Sequence, residues 1–422
     1  MIRVATGEST CSSAWRVSAS NGSAAREPEA ARLRAGPERL TPFERGPYPA
    51  SRLVKPGPPF WFPMKRHMSL SAVQKPVRRE LERMQAQLRD LFRTPIPILN
   101  EVGGHVLATR GKKFRPTLLL LVARLRGHLG DDAVRCAAVV EMVHAAALIH
   151  DDSVDRSQLR RGRPTVNGLW SDEMAIIMGD YLYAQAMSVL VEHKLEMAME
   201  VMARVVAEMS CGEALELQYA HDLGVAEEQY EELIRAKTGS LMGAATEIGA
   251  GLNGGGSDLE LRVRYRRFGE LLGVAFQIVD DLFDYQGTPE VTGKPVGYDL
   301  AEGKVTLPLI AALREATESD RRRLKQLAGS KRLSRARWVV LMRLIERCGG
   351  FVYARRRALE VAAQARALSD RGLEKRERAR GPRSLAARQR RGGDRGIDGW
   401  RGAALARRAL DRAVDYAVDR QC

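Results

Sequence analysis

The sequence predicts an all-α protein, one helix bundle, on three observations. Apolar residues recur at three and four spacing through "VRRELERMQAQLRDLF", "AVRCAAVVEMVHAAALIHDD" and "YLYAQAMSVLVEHKLEMAMEVMARVVAEM", the period of a helix that buries one face. Alternating strand patterns are scarce. The breakers "GHLGDDA", "RRGRPTVNG", "GLNGGGSD" and "YQGTPEVTGKPVGYD" read as connections between helices, not as domain boundaries. About ten helices are expected.

Residues 1–63 stand apart from this pattern. They are rich in Ser, Ala, Arg, Gly and Pro and end in "PGPPFWFP", with no sustained helical period, so a disordered extension is expected. A start at Met64 or Met68 is the alternative. The segment has no hydrophobic core of a secretory signal, and its glutamates count against an Arg- and Ser-rich transit peptide. The bundle is then expected to occupy residues 64–422, with an anomaly at 371–402. There "EKRERARGPRSLAARQRRGGDRGIDGWRG" is dense in Arg and Gly, either a solvated basic loop or sequence altered by compensating frameshifts, before "LDRAVDYAVDR" resumes a helix.

The 422 residues, 45% hydrophobic and 28% charged, suffice for a sizeable core. The formal charge of +16 lies mainly near the two ends, which suggests anionic ligands or surfaces. Nucleic acid is disfavoured, since there is no zinc-finger spacing, aromatic-basic signature or basic heptad arm. Five scattered cysteines without CxxC point to a reducing, cytoplasmic setting. No apolar run approaches the roughly 20 residues that span a bilayer.

Chemistry concentrates in two acid triplets. Asp151, Asp152 and Asp155 stand at i, i+1 and i+4 after the apolar "EMVHAAALIH", and Asp280, Asp281 and Asp284 repeat the spacing after "GVAFQIV". One DDxxD is commonly a cap or a solvated face. Two, each ending an apolar helix, would leave unpaired carboxylates at a large desolvation cost, which divalent cations relieve. Carboxylate oxygens suit Mg2+, which also takes phosphate ligands. Cations nearby match a diphosphate: Lys112 and Arg115 in "RGKKFRP", Arg160 and Arg161, Lys237 beside Thr238, and Lys294 and Lys304 in "TGKPVGYDLAEGKVTLP". Each alone is more often a surface charge. Together they make two anion sites, one reached through metal and one gripped directly.

"GKKFRP", "EMVHAAALIHDDSVDRSQLRRGRPT", "GDYLYAQA", "KTGSLMGAA", "FGELLGVAFQIVDDLFDY" and "GKPVGYDLAEGKVTLPLI" resemble, in order, the motifs of trans-isoprenyl diphosphate synthases, the polyprenyl synthetases. The resemblance spans roughly Val73 to Leu368. It implies the all-α isoprenoid-synthase fold with a central active-site cavity, a homodimer, and Mg2+, three ions per site. It implies head-to-tail condensation of an allylic diphosphate with isopentenyl diphosphate. By the same resemblance the six aspartates bind Mg2+ on the allylic diphosphate. Arg160, Lys237, Thr238, Gln277, Lys294 and Lys304 assist that group, while Lys112, Arg115, His144 and Arg161 form the isopentenyl diphosphate pocket. Asp151, Asp152, Asp155, Lys237, Asp280 and Asp281 then carry catalysis. Arg110 and Arg156 depart from the family's usual glycine and acid.

Ala146 and Ala147 lie five and four residues before Asp151, about one helical turn, so they are expected to line the pocket below the metals. Bulky aromatics there close the tunnel in the family. Small residues imply products of about seven to ten isoprene units (C35 to C50), as for quinone side chains, and a chain so apolar invites peripheral membrane contact at product release. The alternatives are a shorter-chain synthase, or a noncatalytic subunit of a heteromeric one, which would be expected to lose acid ligands. A terpene cyclase lacks a second diphosphate site, and a carboxylate-bridged di-metal bundle needs a second ExxH beside Glu141 and His144. "GLNGGGSD" is a loop without GK[ST]. His105, His128, His193 and His221 are too scattered for zinc, and His150 is expected to pack or to orient a neighbour.

Overall fold

The structure, a computed structural model, describes residues 69–109, 111–252, 258–286, 297–330, 333–379 and 395–419, without the side chains of 370–379 and 395–401. All lie in one unit, residues 58–422. Helices α1 (Leu70–Gln74), α2 (Arg78–Leu91) and α3 (Pro97–Ala108) lead to α4 (Phe114–Arg126) and α5 (Asp131–Val154). A hairpin of β1 (Leu159–Arg160) and β2 (Arg163–Pro164) precedes α6 (Val166–Leu169), α7 (Asp172–Glu192) and α8 (Glu196–Tyr219). Helix α9 (Glu227–Ile234) runs through a π-helical turn, Arg235–Gly239, into α10 (Ser240–Gly251) and then α11 (Leu259–Gln286). The chain closes with α12 (Tyr298–Ala301), α13 (Leu307–Glu315), α14 (Glu318–Ala328), α15 (Arg335–Arg347), α16 (Gly350–Ala379) and α17 (Arg395–Asp419).

The all-α expectation holds. Among the described residues the two-residue strands are the only sheet. Fourteen helices among the described residues reach eight residues, more than the ten expected, because short breaks divide the chain after Thr306 into separate helices. The basic anomaly is also corrected in part. Helix α16 runs on to Ala379 and α17 begins at Arg395, since Arg, Glu and Ala favour helix even without an apolar stripe. Residues 380–394 lie outside the described residues, as do 1–68.

Local signals set the helix ends. Gly127 has φ +78° and closes α4, where the next amide, of His128, reaches back to the Ala123 carbonyl at 2.8 Å, the left-handed C-terminal motif that glycine permits. Ser171 caps α7 by accepting from the Met174 amide at 3.2 Å, with Asp172 and Glu173 in the first turn, where the helix dipole favours acids.

Helix α10 is the axis of the bundle: every residue from Ser240 to Gly251 is buried, against α4, α8 and α11. Backbones approach closely there. A Cβ on Gly269 would lie 2.3 Å from the Met242 carbonyl oxygen, and one on Gly273 would lie 2.7 Å from the Gly239 Cα. Helices α8, α10 and α11 share an ion triad, in which buried Glu247 accepts from Arg204 at 2.6 Å and from Arg262 at 2.9 Å. Helix α11 packs in turn on α16, and α5 on α7, which brings the C-terminal ends of α5 and α11 to one cavity.

Gly269→Ala therefore sets two effects against each other. Helix propensity favours Ala by about 1 kcal/mol, but the backbone contact cannot yield as a side chain would, so a net loss of about 2 kcal/mol in denaturant unfolding is expected.

Candidate active site

Each triplet ends its helix. Asp151, Asp152 and Asp155 close α5, and Asp280, Asp281 and Asp284 lie in the last two turns of α11. Carboxylates there face the negative end of the helix dipole and are buried (Asp152, Asp281, Asp284) or half-buried (Asp151, Asp155, Asp280), so they need positive partners or donors. A cavity of about 640 Å³ takes Asp151, Asp152 and Asp280 into its wall, and an adjoining one of about 170 Å³ takes Asp151, Asp155, Asp281 and Asp299.

The first triplet is held by a hairpin and a π-turn. Arg161 (φ 53°) and Gly162 (φ +73°) form a two-residue turn with both central residues left-handed, matching the twist of a tight hairpin. The hairpin presents Arg160, whose Nε donates to both carboxylate oxygens of Asp152 at 2.7 and 2.9 Å. The π-turn, one residue wider than an α-turn and frequent at functional sites, carries Lys237 and Thr238. A Cβ on Gly212 would meet the Lys237 amide nitrogen at 2.6 Å, so only glycine lets α8 lie this close to the turn.

Lys237 Nζ lies 2.6 Å from Glu213, 2.5 Å from Glu216 and 3.9 Å from Asp151. Lys304 Nζ lies 3.2 Å from Asp155 and 3.3 Å from both Glu216 and Glu302. Burial alone would lower both lysines, but the surrounding carboxylates outweigh it and raise them, so both stay charged. Burial pushes Glu213 up to about 7, helped by Asp151 and opposed by Lys237. It raises Asp151 likewise, against the pull of Lys237 and Arg160. Carboxylate oxygens of Asp155, Glu213 and Glu216 lie within 4.8 Å of one another, a hard-oxygen set that suits a divalent cation.

The second triplet is braced by neutral donors. Tyr230 donates to Asp281 Oδ2 at 2.6 Å, and Gln277 Nε2 to Oδ1 at 2.8 Å, while Thr238 donates to Gln277 at 2.9 Å. Asp284 accepts from the Asp299 amide at 3.3 Å. Burial, then Asp299, pushes Asp281 up to about 7, against the two hydrogen bonds.

The opposite wall is cationic. Arg115 Nη1 lies 3.0 Å from His144 Nε2, with Lys112, Lys113 and Arg161 in the same wall. Burial brings Arg115 down to about 10, and burial with Arg115 beside it keeps His144 well below its usual range, hence neutral and able to accept from the guanidinium. Beyond these groups the wall is apolar: Leu88, Phe92, Val106, Leu148, Met209 and Phe276.

Of the site residues expected from sequence, Lys294 lies outside the described residues, as does Arg110. One placement differs from expectation: Ala147 lines the cavity, but Ala146 does not and is fully buried in the core. The wall positions of α5 are set by its rotation, not by distance from Asp151 alone. His150 packs, its ring against Tyr183 and beneath Gly179, with Nε2 3.2 Å from the Ile176 carbonyl. Tyr230, Glu213, Glu216, Lys113 and Asp299 were not foreseen. The i, i+3 pair in "GEALE" was the one signal for the glutamates.

The shift on Asp281 has a consequence for stability. Folded at about 7 against 3.8 unfolded, the carboxyl binds a proton in the folded state alone across that window. Its stabilising contribution is therefore present at about pH 4 and lost as pH rises through 7. Metal-free protein should lose up to a few kcal/mol over that interval, and Asp281→Asn should flatten the slope in chemical unfolding.

Comparison with known proteins agrees with this geometry. The polyprenyl synthetase family model matches residues 96–343. A short chain isoprenyl diphosphate synthase of Methanothermobacter thermautotrophicus is 39% identical over 294 residues, 68% of this chain and 87% of the relative. An octaprenyl diphosphate synthase of Escherichia coli is 32% identical over 298 residues, 71% and 91% respectively. The crystal structure of a polyprenyl synthase from Caulobacter crescentus, complexed with calcium and isoprenyl diphosphate, superposes with a TM-score of 0.72 at 30% identity, covering 85% of this chain and all of that one. The chain belongs to the polyprenyl synthetase family and is a prenyltransferase, a trans-prenyl diphosphate synthase.

Proposed function

We propose that the chain condenses isopentenyl diphosphate head to tail onto an allylic diphosphate, with Mg2+, to make a long all-trans polyprenyl diphosphate of about C35 to C50. One observation carries this reading: two adjoining cavities bring members of both carboxylate triplets together with a separate cationic wall and an apolar lining. Asp151, Asp155 and Asp280 would hold the Mg2+, while Asp152 and Asp281, engaged by Arg160, Tyr230 and Gln277, keep the triplets in place with Asp284. When bound, Mg2+ supplies neutralisation of the charge that develops on the departing diphosphate.

The protein's own groups do the rest. Arg160, Lys237 and Lys304 face the allylic diphosphate, and two of them hold their charge at any neutral pH because carboxylates surround them. They stabilise the leaving group as the C–O bond breaks. Thr238 and Gln277 orient that region. Lys294 belongs to the same group by its motif. Lys112, Arg115, Arg161 and His144 hold the isopentenyl diphosphate so that its double bond meets the allylic cation. The apolar wall excludes water from that cation. No carboxylate stands alone as a strong base, so the released diphosphate takes the final proton.

Small Ala147 on the wall supports a long product, and the octaprenyl relative supports it too, whereas the short chain relative favours a shorter one. A quinone side chain is the use that fits C35 to C50. A homodimer fits α7, where Ile176, Ile177 and Val191 are each more than half exposed. Helices α5 and α7 are each long and apolar enough to cross a membrane. The most apolar window of α5 is 67% buried and that of α7 only 39%, a face that a second copy would cover.

Purified protein with farnesyl diphosphate, labelled isopentenyl diphosphate and Mg2+ should yield long polyprenyl diphosphates by chromatography. Removing Mg2+ or introducing Asp151→Ala should lower turnover by at least about a thousandfold. Absence of product from folded wild-type dimer would contradict the catalytic reading. Ala147→Phe should shorten the products, while Ala146→Phe should leave their length alone and cost about 1–3 kcal/mol of stability through overpacking. Equal shortening by both would refute the placement of the wall.

A further inference from the structure

We propose that Lys113, seated by Glu141, is a further diphosphate-binding cation of the isopentenyl pocket, and that Glu141 is the residue that positions it. This rests on the assignment of that pocket to isopentenyl diphosphate. Lys113 and Glu141 both line the main cavity, and Lys113 Nζ donates to Glu141 Oε1 at 2.7 Å, with the side chains only 22% and 10% exposed.

Three independent features converge on this pair. First, a Cβ placed on Gly111 would lie 3.4 Å from Glu141 Oε1, 3.6 Å from Arg161 Nη1 and 3.7 Å from Lys113 Nζ. One carboxylate and two cations therefore surround one point, which glycine leaves open. Second, Lys113 caps the start of α4 in the left-handed region, φ 53° and ψ 34°, a conformation that L residues adopt only when their surroundings hold them there. Glu141, reaching from α5, supplies that hold. Third, the Glu141 charge also acts on both arginines of the pocket, supporting the charged forms of Arg115 and Arg161 against burial.

The charge balance follows. Lys112, Lys113, Arg115 and Arg161 place four cations in this wall, Lys112 and Arg161 at its exposed edge, and His144 adds none because it is neutral. Positive groups so close repel, and burial adds a desolvation cost. The Glu141 carboxylate offsets part of that charge and leaves the wall net positive, which suits the anionic ester without filling its place. An ammonium has three donors, so Lys113 can keep Glu141 with one N–H and turn the others to a phosphate oxygen. Lys112, the lysine that spacing alone singled out, is the more exposed of the two.

Binding of isopentenyl diphosphate to the full chain, followed by calorimetry, tests the pair, together with the KM for each substrate at saturation of the other. Lys113→Gln should weaken binding and raise the isopentenyl KM by about tenfold, the worth of one charge-assisted hydrogen bond. The allylic KM should stay within about twofold, and Lys113→Arg should recover most of the loss, as a merely structural residue would not. Glu141→Gln should show the same split, with the double variant no worse than the more impaired single one, because the two act as a unit. Glu141→Asp serves if the glutamine variant does not fold. Wild-type binding undiminished by Lys113→Gln, or an equal rise in both KM values, would overturn the proposal alone. Wild-type chain that fails to bind isopentenyl diphosphate would overturn the reading of the pocket with it.

Discussion

Six carboxylates at the C-terminal ends of two buried helices are the constraint on which the rest of this structure depends. Burial, the dipoles of α5 and α11 and mutual repulsion all oppose their charge. A fold that keeps them must spend much of its architecture bringing donors and cations to that end of the bundle. The hairpin delivers Arg160 to Asp152, the π-turn delivers Lys237 beside Asp151, and Tyr230 with Gln277 satisfies both oxygens of Asp281. Gly212, Gly269 and Gly273 permit the close helix approaches that make these meetings possible.

A division of labour follows between the inner and outer carboxylates. Asp152 and Asp281 are bonded directly to protein donors. Asp151 and Asp155 lie beside lysines, at 3.9 and 3.2 Å. Those lysines are themselves shared with Glu213, Glu216 and Glu302. The glutamates keep both lysines at this end of the cavity independently of the aspartates. The cationic wall uses the same device, with Glu141 gathering Lys113 near Arg115 and Arg161.

Most of the fold was legible because the helices are long and amphipathic, and the repeated i, i+1, i+4 spacing exposed both triplets. The unforeseen parts depend on residues brought together from distant elements. Tyr230 and Asp281 stand 51 positions apart, and no local pattern links them. The π-turn was hidden because "RAKTG" has ordinary helix formers, and the extra residue per turn comes from packing against α8 and α11. Ala146 was misplaced because a count of residues gives height along α5 but not rotation about it. The 371–402 segment looked irregular for want of apolar period, yet its ends are helical because charged residues with good propensity need no buried face.

The most direct test is whether the triplets bind an allylic diphosphate through metal. Calorimetric titration of a non-reactive thiodiphosphate analogue of farnesyl diphosphate, with and without Mg2+, reads this without turnover. Strongly coupled binding, at least about a hundredfold tighter with Mg2+ and uncoupled by Asp151→Asn, is the expected result. Equal affinity with and without Mg2+ would mean that Lys237, Lys304 and Arg160 alone hold the anion, and would contradict the role given to the carboxylates.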